Sequence, residues 1–543
     1  MTQRTWVRLG AACSGTACAV LLMQTASKLS FVATALAALV LLAVLVWKTA
    51  FLEKVFAPRA KALWAVAGVL ALSEAYTAKS TFFTTCYGWM QKVLALTGVP
   101  QQAFILRCIP WILALAALPM LFGYLLWFTD LMWTLAKRLW RESDFTERLF
   151  FLGAGLLFAM MIVFSYLCTQ AFYGAHINGY WYNFDLIYSA DSGYLVHQDV
   201  FRNIGAEQND LRQPLFGVFA MPFAQVAWLL SRVLFFLPQS YVTLWQIMQM
   251  LLFLVAVVLL GRMMKLEGAE KALFLTLLCV CYPVLIFVLT AEQYLMAVFY
   301  LVLLIYLRQE PVTQSMSYLA ATGSMLTSGI WFPLVTWDRD FKTFVKKTGV
   351  LCGVFFGVTI LSGRLTTFLD IPSYISGYGY YTGADVALGD KLRQFVNFAG
   401  ACVAAPPSGP DFTTYRHVSW QMLPVTGWSK VGLAVIALAA AGVLVSRKDR
   451  FSRICAVWMG FSLVLLGLVG WGTIDNGLML YTLYFGWAFA AMIYRFLDWA
   501  LGRVRPLKLA VIMGLILALG FCNVNMLRGV LVFGTQFFPA LGG

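Results

Sequence analysis

The sequence predicts an all-α polytopic membrane protein of about 13 transmembrane helices plus interface and re-entrant helices. Composition and pattern both carry the expectation. Apolar residues make up 61% of the 543-residue chain and charged residues only 12%, against about 45–50% and about 25% in soluble proteins. Mean hydropathy is +0.79. The apolar residues also fall in runs close to the ~20 residues a helix needs to cross the hydrocarbon core. The same composition excludes disorder, a coiled coil, a secreted disulfide scaffold and a nucleic-acid-binding protein.

The elements follow in order. Spans are expected at 8–27, 31–51, 61–77 and 103–134, and these form an N-terminal four-helix module over residues 1–140. The first apolar run lacks an A-x-A-like cleavage site and leads straight into a second span, so it reads as an anchor, not a signal peptide. Residues 141–543 form a second, larger unit. Its spans are expected at 147–170, 241–263, 271–290, 292–308, 346–362, 429–446, 452–471, 478–500 and 507–523. Two stretches fit no simple span. Residues 213–237 are apolar but precede another span with no charged loop between, so they read as an interface helix from which Arg232 snorkels. Residues 315–336 hold Gly323, Ser324, Thr327, Ser328, Gly329 and Pro333. That composition suggests two half-helices that enter and return, which is tolerated only inside protein or along a water-filled cavity.

Charge sets the orientation. The net charge is +15, and Lys and Arg accumulate in cytoplasmic loops. With the N-terminus inside, the inner segments run from Arg4 and Arg8, through Lys137, Arg138, Arg141 and Arg148, to Arg503, Arg505 and Lys508. They hold 26 of the 39 basic residues, leaving 13 elsewhere. Two long loops, 171–212 and 363–428, then fall outside. Most of the eleven cysteines lie in apolar runs, where a thiol behaves as a small hydrophobe. Cys86 and Cys402 fall in expected outer loops, and a disulfide between them is one alternative.

Loops held by a rigid scaffold carry most function. The first outer loop contains Asp185, Asp191, Asp199, Glu207 and Asp210, with His176, His197, Arg202 and Arg212 beside them. It is also rich in aromatics, including Tyr173, Tyr180, Trp181, Tyr188 and Tyr194. Carboxylates set in apolar surroundings are general-base candidates; the alternative is a solvated loop with ordinary polar residues. The second loop carries Arg364, Lys391, Arg393, Arg416 and His417. Guanidinium forks match phosphate, although any single arginine here also reads as an ordinary loop residue. Glu292 lies between two apolar runs, where a carboxylate is costly unless paired or functional. Asp475, Asn476 and Tyr481 enter a span from outside, and the first two also read as helix caps.

These residues resemble a family. The segments SADSGYL (189–195) and NDLRQPLFGVFAMP (209–222), with Glu292 and DNGLMLYTLYF (475–485), are similar to motifs of bacterial membrane glycosyltransferases of the GT-C superfold. That class includes protein mannosyltransferases and aminoarabinose transferases. The resemblance covers about 145–500, and Gln213 stands where the motif carries His. It implies a GT-C-like core in the bacterial cytoplasmic (inner) membrane, with a cytoplasmic N-terminus and an extracytoplasmic active site. It further implies a polyprenyl-phosphate sugar donor, a glycan, lipid or protein acceptor, contact with membrane lipids, and no nucleic acid. Asp191 is the expected catalytic base, with Asp185 and Asp210 in reserve. Arg202, Arg212, Gln213, Glu292, Arg364, Arg416, Asp475, Asn476 and Tyr481 are the expected substrate-binding residues. Some relatives bind a divalent cation; no clear ligand set is visible here, and no metal ligand is assigned. The competing readings are a transporter or flippase, or a polymerase or ligase, of lipid-linked cell-surface glycans. A membrane O-acyltransferase is disfavoured because His176, His197 and His417 all fall in outer loops.

Overall fold

A computed structural model describes the chain apart from residues 1–2, 27–30, 48–58, 98–103, 178–179, 183–185, 198, 205–212, 308–310, 332–339, 362–381, 413–417, 425, 473–477 and 541–543. The described residues form 18 α-helices and two short antiparallel hairpins. In chain order, helices α1 (Gln3–Ala26), α2 (Phe31–Trp47), α3 (Lys61–Thr97) and α4 (Phe104–Glu142) come first. Then follow α5 (Phe145–Cys168), β1 (Ala175–Ile177), β2 (Tyr180–Tyr182), α6 (Ser192–His197), α7 (Phe216–Ser231) and α8 (Ser240–Met263). Helices α9 (Gly268–Val280), α10 (Tyr282–Leu289), α11 (Tyr294–Tyr306), α12 (Pro311–Ser324) and α13 (Phe341–Leu361) come next. The last are α14 (Leu388–Ala401), β3 (Ser408–Asp411), β4 (Ser419–Met422), α15 (Lys430–Ser446), α16 (Arg450–Ser462), α17 (Leu478–Leu501) and α18 (Arg505–Phe537).

Among the described residues, five stretches are long and apolar enough to cross a membrane: Leu115–Glu142 of α4, α5, α8, Arg450–Val469 and α18. A sixth is added if the bent pair α9–α10 is one span. The protein is therefore an integral, multi-pass membrane protein. Of the other expected spans, those at 31–51, 292–308 and 429–446 form shorter apolar helices. The stretch expected at 292–308 is α11, whose 13 residues cover only about 20 Å. It is apolar all round and almost wholly buried, as a core helix is. On α5, by contrast, Phe145, Leu149, Leu152 and Leu156 form an exposed apolar stripe, a surface that suits lipid and not water.

The chain forms two compact units. The first gathers 1–143, 198–229 and 309–371. Here α1 packs on α2, α3 and α4, and Ala67, Leu70 and Ala71 of α3 meet Leu125 and Leu126 of α4 and Met221 of α7. Within the stretch expected at 213–237, Phe216–Ser231 is helical and forms α7. In the stretch expected to form half-helices, α12 is followed by a six-residue 3₁₀ segment, Leu326–Trp331. A Cβ on Gly323 would lie 2.4 Å from that of Leu215, so this glycine lets α12 close onto the chain entering α7.

The second unit gathers 144–197, 230–308 and 372–543. Its basic end is held by ion pairs. Asp144 caps α5 by accepting from the Glu147 N–H at 2.8 Å, an N-cap hydrogen bond. Lys271 donates to Asp144 and Glu147 at 2.5 and 2.9 Å, and Arg262 grips Glu147 at 2.6 Å. Burial alone would raise the Asp144 carboxyl, but the hydrogen bond and charge of Lys271 and the backbone N–H groups of Thr146 and Glu147 together outweigh this and hold it below the usual value. The α9–α10 pair bends by 61° because Pro283 has no N–H to continue the ladder. The carbonyl freed at Val280 accepts from Asn523 of α18 at 2.7 Å, the repair a broken helix in lipid requires. Cys402 ends α14 with a buried, free thiol. The disulfide with Cys86 is therefore corrected: Cys402 is 1% exposed, inside the packing of its own unit.

Candidate functional site

In the second unit the segment 169–197 is fastened at both ends before it presents Asp191. After α5 the Thr169 hydroxyl and Gln170 amide donate to Phe538 and Pro539 carbonyls, each at 2.7 Å. The Phe172 carbonyl then accepts from the Ala291 N–H at 2.8 Å, which pins the short link carrying Glu292 to the same segment. Beyond the β1–β2 hairpin, Tyr188 and Ser189 both take left-handed backbone, with φ of 52° and 59°. For non-glycine residues this costs roughly 1–2 kcal/mol each and persists only where surroundings over-determine it.

Those surroundings come from the second long loop. The Tyr188 N–H donates to the Trp420 carbonyl at 2.8 Å, and the Trp420 N–H donates to Leu186 at 2.9 Å. The Tyr188 and Tyr282 hydroxyls are 2.6 Å apart, and the Trp420 indole N–H donates to Tyr188 at 3.2 Å. Ser189 donates to Gln421 at 3.5 Å. Asp191 emerges from this turn partly exposed and opens α6, its carbonyl accepting from the Leu195 N–H at 3.0 Å. Gly193 is crowded by the chain that passes over it. It lets the chain at Gly174 (φ 95°) approach so closely that a Cβ there would lie 2.4 Å from the Gly193 Cα.

Glu292 is 1% exposed. The approach to it is set by Gln246 of α8, whose side-chain amide donates to the carbonyls of Phe287, Val288 and Thr290 at 2.9, 2.9 and 3.1 Å. Two residues on, the Tyr294 phenol lies within electrostatic reach of Glu292, Tyr484, Tyr481 and Asp191. Its ring meets Tyr484 edge-on at 5.1 Å. Tyr481 accepts from the Trp471 indole N–H at 2.5 Å. Trp471 reaches it because the π-helical stretch Leu463–Val469 ends in left-handed Gly470 at φ 83°, and π segments recur at functional sites. Three expected site residues, Asp191, Glu292 and Tyr481, thus gather around Tyr294. Burial pushes the Tyr173 phenol up to about 12 and raises Tyr188. Both stay protonated near neutral pH.

Two other expected residues lie in the first unit. Arg202 grips Asp199 at 2.5 Å and stacks on Trp228 with 4.7 Å to the ring centroid, so its fork is already engaged. Gln213 is 9% exposed and turns the chain into α7, its carbonyl accepting from the Phe216 N–H at 3.3 Å. Beside them is a buried network that sequence reading missed: Glu74 accepts from Ile204 and Gln225 at 2.9 and 2.6 Å. Asp185, Asp210, Arg212, Arg364, Arg416, Asp475 and Asn476 lie outside the described residues.

The remaining missed residues are Tyr294, Tyr282, Trp420 and Trp471. Only Tyr294, two positions after Glu292, carried a local signal. Among the described residues no group of three or more His, Cys, Asp or Glu could hold a metal ion. Comparison with known proteins finds no matching family model, no matching curated protein and no matching solved structure.

Proposed function

We infer that the protein is a GT-C type glycosyltransferase that moves a sugar from a polyprenyl-phosphate donor to an acceptor hydroxyl. The reading includes about 13 spans, a cytoplasmic N-terminus in a bacterial inner membrane, and chemistry on the extracytoplasmic face. The observation that supports it is the strained turn at Tyr188–Ser189, which leads into the partly exposed Asp191, a carboxylate within electrostatic reach of Tyr294, as Glu292 and Tyr481 are. Backbone strain of this kind collects at functional sites. The aromatic rings offer faces on which a sugar can lie.

In the step, the Asp191 carboxylate takes the proton of the acceptor hydroxyl as its oxygen attacks the anomeric carbon. The bond from that carbon to the phosphate oxygen breaks, and polyprenyl phosphate leaves with the electron pair. Arg212, Arg364 and Arg416 are the expected partners of the leaving phosphate, as preorganised cations at developing charge. Glu292, held rigidly by the Gln246 capping of its approach, orients the sugar hydroxyls.

The test is to offer the purified full chain a panel of polyprenyl-phosphate sugars and follow release of polyprenyl phosphate. Asp191→Asn should lower turnover by about 10²–10⁴-fold, the usual loss of a general base, with donor binding intact. Normal transfer by Asp191→Asn, Asp185→Asn and Asp210→Asn alike would end the carboxylate mechanism. Single cysteines placed at 205 and 410 should be labelled from the extracytoplasmic side, and labelling only from the cytoplasm would reverse the topology.

A further inference from the structure

A groove of about 880 Å³ runs along the second unit between α5, α9–α10 and α18. Its walls are almost wholly apolar, and its floor is opened by small residues, among them Gly153, Ala272 and Gly520. On α5 it extends from Phe145 to Met161, about 24 Å at 1.5 Å per residue. That is most of the ~30 Å hydrocarbon thickness. Exposed apolar side chains flank it, including Leu152 and Leu156 on α5 and Phe521 on α18. A groove with such shoulders faces lipid.

One charge stands in this wall. Arg528 lines the groove, is exposed, and makes no ion pair or hydrogen bond among the described residues. It lies 23 residues along α18 from Arg505, about 35 Å. Arg505 and Lys508 sit at the basic end, paired with Glu270 at 3.3 and 2.8 Å. Arg528 is thus slightly more than one hydrocarbon thickness away, at the depth of the opposite headgroups. A guanidinium at that depth, above an apolar channel, matches a phosphate above an acyl chain in charge and in position.

We propose that this groove seats one acyl chain of an anionic phospholipid, whose headgroup phosphate is held by Arg528. The occupant is a resident membrane lipid and not the sugar donor, and the proposal requires only that α5 and α18 span the membrane. The groove can be filled without disturbing the fold. A Cβ built on Gly153 or Gly520 meets nothing within 4 Å, and both positions lie inside helices, where replacing glycine favours the helix.

The test is native mass spectrometry of the purified full chain, delipidated and then offered equal phosphatidylglycerol and phosphatidylcholine. The wild type should retain phosphatidylglycerol by about fivefold, the effect of one Lys or Arg near a charged lipid surface. Arg528→Gln should abolish that preference and Arg528→Lys should keep most of it. Gly153→Leu and Gly520→Leu should lower retention of both lipids while thermal unfolding stays unchanged. Wild-type preference in Arg528→Gln, or wild-type retention in both groove-filling variants, overturns the proposal. So does displacement of phosphatidylglycerol by equimolar polyprenyl phosphate with the same dependence on Arg528, which would make the groove a donor site. No arm measures sugar transfer, so the transferase reading stands or falls separately.

Discussion

Replacing Tyr188 by Phe isolates the hydroxyl that joins the two long loops, because Phe keeps the ring and meets the same left-handed backbone requirement. In the folded protein that hydroxyl is 2.6 Å from the Tyr282 hydroxyl and accepts from the Trp420 indole N–H at 3.2 Å. Tyr282 is fully buried and Trp420 is 7% exposed, so neither regains a water cheaply. Each buried group left without its partner costs about 1–3 kcal/mol. Because Tyr282 can still rotate its hydroxyl, the sum is about 2–4 kcal/mol. At 1.4 kcal/mol per factor of ten, local opening rises roughly 30- to 700-fold. Hydrogen exchange reads this directly, since the Tyr188 and Trp420 amides bond across the junction at 2.8 and 2.9 Å. Tyr282→Phe should cost less, because the Trp420–Tyr188 bond survives. The double variant should cost less than the two single variants added together, since the two phenols share one bond. Wild-type exchange at both amides in Tyr188→Phe would refute the claim that this hydroxyl holds the turn presenting Asp191.

Three further outcomes are expected. Gly174→Ala combines φ of 95° with a 2.4 Å approach to Gly193; about 2–5 kcal/mol of backbone and packing cost should displace α6 and lower kcat by up to about 10²-fold, whereas unchanged kcat means the close approach does not position Asp191. Gln246→Leu removes the donor to three buried carbonyls and should destabilise the 287–293 link by about 2–5 kcal/mol, read as faster amide exchange from Thr290 to Gln293; unchanged protection there removes Gln246 from the support of Glu292. Asp144 titrates below its usual range in the folded protein, so its contribution is present above about pH 4 and is lost as pH falls through the folded value; thermal stability should drop on that side in the wild type and show a weaker drop in Asp144→Ala, and identical profiles would refute the assignment.

Hydropathy made the class legible because lipid imposes one demand, about 20 apolar residues in a helix, that is written locally. It did not distinguish α11, which is buried in protein, from α5, which faces lipid, since both satisfy the same composition. The bend at Cys281–Pro283 was visible as a proline, but its repair by Asn523 lies 243 residues away in the chain. The candidate site divides in the same manner. Asp191, Glu292 and Tyr481 stood out as polar residues beside apolar runs. Trp420 and Tyr282 did not, because their role comes from pairing with Tyr188 across 232 and 94 residues. The close approach of Gly174 to Gly193 was not legible either, because the sequence does not show which strand of chain passes over a glycine.

The fastening of Thr169 and Gln170 onto Phe538 and Pro539 bears on the order in which the protein is made. Each of these bonds joins residues 369 positions apart. At about 5–20 residues per second, the ribosome needs roughly 20–70 s to deliver the second partner after the first. During that interval the base of the Asp191 segment lacks its anchor, and Ala291 is the nearest tie available to it. The second unit therefore completes its site only when α18, its last helix, has entered the membrane. A ribosome stalled before that point holds a chain whose helices are inserted but whose Asp191 segment is still unfastened at its base.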